Sequence, residues 1–250
     1  MGEIVTAAML VIGDEILSGR TKDRNVGHLA DMMTASGIDL KEVRIVSDNR
    51  DAIASAVNAL RAAHTYLFTT GGIGPTHDDI TAESVAHAFG LPCVTDEKAF
   101  ALLAAHYEAR GLEFTEARQR MARMPEGATH IANPVSVAPG FVIGNVHVMA
   151  GVPSIFQAML DNVMPTLKTG TRLLSQAVHC PFGEGVIGGA LADIQKAHPD
   201  TIIGSYPKYE GTRFWTELVV RARSQDLLEP AVAAVEAMVR SHVEAGAPNM

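Results

Sequence analysis

Cysteine is scarce: Cys93 and Cys180 are the only two in 250 residues. Neither lies in a CxxC or other ligand-spacing pattern, which argues against a disulfide framework and a thiolate metal centre. Both read as reduced, buried thiols of a cytoplasmic protein. Positive charge is also short, with 20 Lys and Arg against 28 Asp and Glu and a net charge of −8. A chain that coats nucleic acid needs the opposite balance, so no nucleic-acid partner is expected. No apolar run approaches the roughly 18 residues of a membrane helix, so no membrane partner is expected either. Glu3 replaces the basic start of a secretory leader. Met1-Gly2-Glu3-Ile4-Val5-Thr6 fits the loose N-myristoylation pattern. However, Ile4 and Val5 already open a strand, and so short a pattern arises by chance. Low-complexity segments, long charge runs and internal repeats are absent. At this length the chain can bury one large core, or a main domain with a small companion.

What is present is a strand–helix alternation. Ile4–Ile12 is almost continuously apolar, the mark of a strand buried on both faces. Val26, Leu29, Ala30 and Met33 then repeat at helical spacing up to Gly37. Val43–Val46 reads as a strand, Ile53, Val57 and Leu60 as one helix face, and Tyr66–Thr70 as another strand. Ala82–Phe89, Phe100–Tyr107 and Thr115–Met124 read as helices, with Thr81 as N-cap of the first. Gly144-Asn145 between Phe141–Ile143 and Val146–Val148 signals a hairpin. Gly151-Val152-Pro153-Ser154 opens a further helix, where Ser154 and Gln157 have capping-box spacing. The expected class is α/β, a mostly parallel sheet covered on both sides. Near Gly170 the texture changes. Strands over 172–180, 201–205 and 212–223 and helices over 184–197 and 226–243 suggest a small α+β appendage. The expected domains are 1–168 and 169–250.

The run Thr69-Thr70-Gly71-Gly72-Ile73-Gly74-Pro75-Thr76-His77-Asp78-Asp79-Ile80-Thr81 carries the most chemistry. Glycines let the backbone turn sharply and approach a ligand, most of all at Gly72 or Gly74. Amides left pointing outward beside a helix start can seat phosphate. The loop holds no Lys or Arg, so it is no nucleotide P-loop. It offers Asp78 and Asp79, hard oxygen ligands of the kind Mg²⁺ prefers. The combination points to a phosphorylated ligand handled through a divalent cation, Mg²⁺ or Co²⁺.

Three glycine-containing loops, Gly13–Gly19, Gly71–Asp79 and Gly151–Ser154, each follow a strand. If those strands are parallel, all three reach one rim, where α/β sheets bind ligands. Asp14 and Glu15 can join Asp78 and Asp79 around a metal, or Asp14 can cap a turn while Glu15 is solvated. Asp48 can reach the same rim or act as an N-cap. Arg20 and Lys22 can neutralise phosphate or serve as ordinary surface cations. His77 can act as an acid/base or orient its loop. The other histidines show no metal-ligand spacing. Phe214 and Trp215, in an apolar strand, read as core.

Gly13-Asp14-Glu15-Ile16-Leu17-Ser18-Gly19 with Asn25, together with Gly71–Thr81, resembles the molybdopterin-binding (MoaB/Mog-type) domain family. The nearest forms are the N-terminal domain of competence/damage-inducible protein A and the molybdopterin-binding-like domain of FAD synthase. The resemblance covers about residues 4–168, and residues 170–245 are similar to the small extension of competence-type proteins. It implies a three-layer α/β/α fold and a homo-oligomer, dimer or trimer. Asp79 and Asp48 match aspartates important in the family's adenylyltransferases, which carry Arg where Asp78 stands. The competence-type and FAD-synthase domains imply metal-dependent hydrolysis of a dinucleotide pyrophosphate, ADP-ribose or FAD. The alternative implied is non-catalytic binding of molybdopterin or a related pterin phosphate. The catalytic candidates are therefore Asp79, Asp78 and Asp48. Gly71, Gly72, Gly74, Thr76, Gly13, Gly151 and Ser154 are candidates for phosphate, and Asp79, Asp78 and Asp14 for metal. Ala150-Gly151 and Ile155 depart from the family's third loop, as does Asn133-Pro134-Val135-Ser136-Val137-Ala138-Pro139-Gly140 from its N-P-x-G-x-A-P-G.

Overall fold

The computed structural model describes residues 3–211 and 213–246. Met1 and Gly2 of the acylation pattern and Thr212 of the expected 212–223 strand lie outside the described residues. The chain divides into two compact units, Met1–Gly170 and Thr171–Met250.

In the first unit, β1 (Val5–Ile12) leads through α1 (Asp14–Leu17) and α2 (Asn25–Ala35) to β2 (Ile38–Val46). Next come α3 (Arg50–Ala63), β3 (Tyr66–Thr70), α4 (Thr81–Phe89), β4 (Cys93–Thr95) and α5 (Glu97–Ala109). After α6 (Glu116–Gln119) and a 3-10 turn over Arg120–Ala122 lie two short strands, β5 (Arg123–Pro125) and β6 (Thr129–Ile131). The hairpin β7 (Gly140–Ile143) and β8 (Val146–Met149) precedes α7 (Pro153–Val163). Six strands form a sheet in the order β2-β1-β3-β8-β7-β6. From β2 to β8 the neighbours are parallel, while β7 and β6 return antiparallel.

The unbroken apolarity of β1 has a geometric cause. Successive strand side chains point to opposite faces, so a sheet covered twice needs an apolar residue at every position. Ala8, Leu10 and Ile12 pack with Ile53, Val57 and Leu60 of α3 and Val85 of α4. Val5, Ala7, Met9 and Val11 pack with Leu29 and Met33 of α2 and Phe156 and Leu160 of α7. Leu67 and Phe68 of β3 divide in the same way. The result is three layers, and its functional consequence is directional. The carboxyl ends of β1, β2, β3 and β8 emerge along one rim.

Several local readings need correction. Residues 115–124 do not form one helix, because Arg123–Pro125 pairs with Cys93–Thr95 and draws the chain out of α6 after the 3-10 turn. Thr81 is the first residue of α4, and its N-cap position belongs to Ile80. Ser154 is not an N-cap either: Val152 holds that position, and Pro153 sets the first turn with its fixed φ. Asn49, not Asp48, caps α3, accepting from the amides of Asp51 and Ala52. The N-cap position of α1 falls to Gly13 rather than Asp14.

The second unit comprises β9 (Leu174–Cys180), α8 (Glu184–Ala197), β10 (Ile202–Glu210), β11 (Arg213–Ala222) and α9 (Gln225–Glu244). Its antiparallel sheet runs β10-β11-β9. Val178, Cys180, Leu218, Val220 and Ala222 meet Ile187 of α8 and Leu228, Val232 and Val235 of α9. Trp215 is not part of that core. It is half-buried and alternates with buried Thr216 and Leu218, so it stands on the sheet's other face, beside His179.

Candidate functional site

The loop after β3 is built around backbone that a side chain cannot share. Gly71 has φ +103°, and a Cβ there would lie 2.2 Å from the Ile12 carbonyl oxygen. Gly72 has φ +67°, and its Cβ would lie 2.2 Å from Thr81 Oγ1. These two positions, rather than Gly74, carry the left-handed backbone that favours glycine. Gly74 is restricted differently: its Cβ would meet Asp79 Oδ2 at 2.6 Å. Thr81 pins the loop to α4, donating its amide to Gly72 O and its hydroxyl to Gly71 O, both at 3.0 Å. Asp79 turns back into its own loop, where Oδ2 accepts from the Thr76 amide at 2.7 Å and the Thr76 hydroxyl at 2.5 Å. Thr76 thus serves the loop's own hydrogen bonds.

The third loop approaches the first turn of this one. A Cβ on Gly151 would lie 3.2 Å from the Gly71 Cα. Asn25, buried at the start of α2, ties the strand ends together by donating to Thr70 Oγ1 at 2.9 Å and Gly151 O at 2.8 Å. Thr70 in turn donates to Ala150 O at 3.0 Å. The Asn25 Oδ1 atom is buried with no partner among the described residues. Residue type alone would not single out Asn25 or Thr70. Their partners lie 45 to 126 positions away in sequence, so only tertiary placement gives them this role.

A carboxylate group gathers at the ends of β1 and β2. Asp48 Oδ2 accepts from the Asp14 amide at 2.9 Å. Burial pushes the Asp48 carboxyl above its ordinary value, and the neighbouring charges of Asp14, Glu15 and Asp78 add to the rise. The Asp14 amide works against it, since a donor stabilises the charged form. Asp78 is exposed and lies 3.9 Å from His77. Asp14, Asp48 and Asp78 therefore share one electrostatic neighbourhood, while Asp79 is folded inward. Among the described residues no three His, Cys, Asp or Glu side chains form a ready cation cage. One or two carboxylates with ligand phosphates and water fit the way Mg²⁺ is commonly held.

A cavity of about 500 Å³ opens at this rim. Of the expected site residues, Gly71, Gly72, Gly74, Asp79 and Gly151 line it; Gly13, Asp14, Asp48, Thr76, Asp78 and Ser154 do not. Ile73, Met121, Ala138, Val152 and Ile155 give it apolar walls. The far wall is the loop after β6. There Asn133 donates to Ser136 Oγ at 2.7 Å and Ala138 O at 2.8 Å, and accepts the amides of Val135 and Ser136 at 3.0 Å. Those bonds hold Val137 at φ +69°, the one positive value among described non-glycine residues. A β-branched residue in that region is strained, and such strain concentrates at binding sites.

Family comparison accords with this architecture. Residues 8–169 match the family model described as "Probable molybdopterin binding domain", and residues 172–246 match "FAD synthase, middle domain". A protein of Aeropyrum pernix is 31% identical over 258 residues, spanning 98% of this chain and 96% of that one. A "CinA-like protein" of Desulfosudis oleivorans is 36% identical over 204 residues, spanning 77% of this chain but 49% of its own length. The crystal structure of the protein CinA from Thermoplasma acidophilum superposes with a TM-score of 0.60 at 31% identity. It covers 65% of this chain and 98% of that one. With the first model spanning most of the sequence, the chain belongs to the molybdopterin-binding domain family.

Proposed function

We propose that the first unit binds a nucleotide-containing pyrophosphate such as ADP-ribose or FAD and hydrolyses it with a divalent cation. The observation that carries this reading is a glycine loop at a cavity rim flanked by carboxylates, with Glu15 and Asp79 as the charged residues of the cavity wall. The match of residues 172–246 to a FAD synthase domain supports a dinucleotide ligand. Amides of Gly72–Gly74 hold the phosphates, the Gly71 amide being spent on Met149 O, and the apolar wall of Ile73, Met121, Val152 and Ile155 receives a flat ring system. Asp14, Asp78 or the second oxygen of Asp79 would hold Mg²⁺ or Co²⁺, which would supply Lewis acidity when bound. Asp48, with Oδ2 engaged by Asp14 and its carboxyl pKa raised, takes the proton of the attacking water on Oδ1. The water oxygen bonds to phosphorus, the bridging P–O bond breaks, and two monophosphates leave.

A second reading is non-catalytic binding of a pterin phosphate. It is favoured by Asp79, whose Oδ2 already serves as a loop staple to Thr76. The full chain with ADP-ribose or FAD and Mg²⁺ or Co²⁺ separates the two. Release of both monophosphates, stopped by EDTA and by Asp48→Asn, supports hydrolysis. No cleavage with any divalent ion, alongside micromolar pterin binding, transfers the assignment to the binding module.

A further inference from the structure

A dinucleotide pyrophosphate brings negative charge to a cavity whose charged wall residues, Glu15 and Asp79, are themselves acidic. A cation would oppose that repulsion only at the carboxylates that hold it; Asp14 and Asp48 gather at the ends of β1 and β2, where the charge of Asp78 also acts. A small recess shares Gly72, Ile73, Gly74, Asp79 and Met121 with the main cavity and adds Arg120 and Arg123. Arg123 is committed to Glu83. Arg120 is half-buried, and its guanidinium has no hydrogen-bond or ion-pair partner among the described residues.

A partly desolvated guanidinium with its donors unspent is costly unless something fills the fork. Its backbone is firmly placed. Arg120 opens the 3-10 turn, whose last residue, Ala122, is buried and accepts the Asp96 amide at 2.9 Å. Gln119 anchors the preceding turn by donating to Phe114 O at 2.9 Å. Arg120 lines the same recess as Gly72, Ile73 and Gly74, where backbone amides and a planar fork suit phosphate oxygens.

We propose that Arg120 and the Gly72–Gly74 backbone form a phosphate-binding subsite. Arg120 is a binding residue that answers ligand charge from the recess it shares with Asp79 and the glycine loop. The proposal rests on the reading that this cavity takes a phosphorylated ligand, but not on its hydrolysis. Calorimetric titration of the full chain with inorganic pyrophosphate and with ADP-ribose, each with Mg²⁺, tests it. Arg120→Gln should weaken both by about tenfold or more, with Arg120→Lys in between. The loss should shrink in about 0.5 M NaCl, because screening weakens a partly exposed charge. Arg110→Gln, at the exposed end of α5, should change neither affinity. Unchanged melting temperature in Arg120→Gln separates lost binding from lost folding, and Arg120→Lys repeats the test if that variant unfolds. Equal pyrophosphate affinity in wild type and Arg120→Gln overturns the subsite even if ADP-ribose is cleaved. Binding lost in Arg120→Gln without cleavage by wild type keeps the subsite and rejects hydrolysis. A wild-type chain that binds neither probe overturns both.

Discussion

At Gly71 a side chain would lie 2.2 Å from the Ile12 carbonyl oxygen, whereas at Gly188 it would meet nothing within 4 Å. The first glycine is in the rim loop of unit one, the second in α8 of unit two, which also holds Gly185 and Gly189 with open space around them. A glycine inside a helix costs about 0.5–1 kcal/mol relative to alanine. The rim loop and α8 thus use the same residue for opposite outcomes. The rim loop uses glycine to let β1, β3 and the third loop converge at the cavity. In unit two, α8 carries glycines that its own backbone does not require. Composition alone makes the two uses look alike, and only the contact geometry separates them.

The largest effect is expected at Gly71. Gly71→Ala combines a positive φ with a clash against main chain that has no rotamer to escape into, and should cost about 3 kcal/mol or more. Trp215 is the sole tryptophan and lies in unit two, so its fluorescence follows that unit while far-UV circular dichroism follows both. In urea the variant should lose dichroism early while the Trp215 transition stays in place. An unshifted dichroism curve would break the contrast between the units.

Acid should act almost as strongly on unit one. His147 of β8 is buried against Phe68 and Tyr66, and burial lowers its pKa from 6.5 to about 4. Between those values the unfolded chain carries a proton there that the folded chain lacks. Stability is therefore lost as pH falls from about 6.5 toward 4, by about 3 kcal/mol in full. His147→Gln should flatten that stretch of the stability–pH curve. A variant with the wild-type slope would show that another group titrates.

Unit two offers the smaller, opposite change. Gly188→Ala should stabilise unit two by about 1 kcal/mol, moving the urea midpoint of the Trp215 signal upward and leaving the rest of the dichroism curve in place. No gain, or a gain spread over both signals, would mean that α8 needs its glycine or that the units unfold together.

Much of this architecture is readable from residues in order. Both-face apolarity placed β1 and β3, and Gly144-Asn145 placed the hairpin, where Asn145 also donates to Arg61 O and His64 O. Strands β4, β5 and β6 have three residues each, too few for periodicity to register, and β5 is what ends the expected helix over 115–124. Caps failed for a different reason. Thr81, Ser154 and Asp48 are suitable residue types, but a cap is fixed by where the backbone turns helical, and that shifted by one or two positions. At the site, the glycine loops were legible because their motif is contiguous. Asn25 entered only through the family resemblance and Arg120 not at all, since what they do depends on what distant segments bring beside them, while Asn133, named with its N-P motif, bonds within its own loop.

The smallest effect expected on stability is also the one that most sharpens the chemistry at the rim. The Asp48 carboxyl is raised by burial and by the charges of Asp14, Glu15 and Asp78, so its ionised form is disfavoured in the folded chain. A raised carboxyl contributes stability that is lost as pH rises through its unfolded value toward its folded one. At neutral pH, removing the charge should therefore help folding. Asp48→Asn keeps an oxygen to accept from the Asp14 amide, so the hydrogen bond that sets the loop can survive. Without divalent ions the variant should melt slightly above wild type. With Mg²⁺ or Co²⁺ the order should reverse, because wild type gains from a cation that relieves the crowded carboxylates and the variant gains less. Differential scanning fluorimetry with and without EDTA reads both halves. If Asp48→Asn melts below wild type in EDTA, the carboxylate is held by favourable contacts instead of tolerated against repulsion. If both proteins respond equally to the cation, Asp48 takes no part in its site, and the proton-accepting role loses its electrostatic basis.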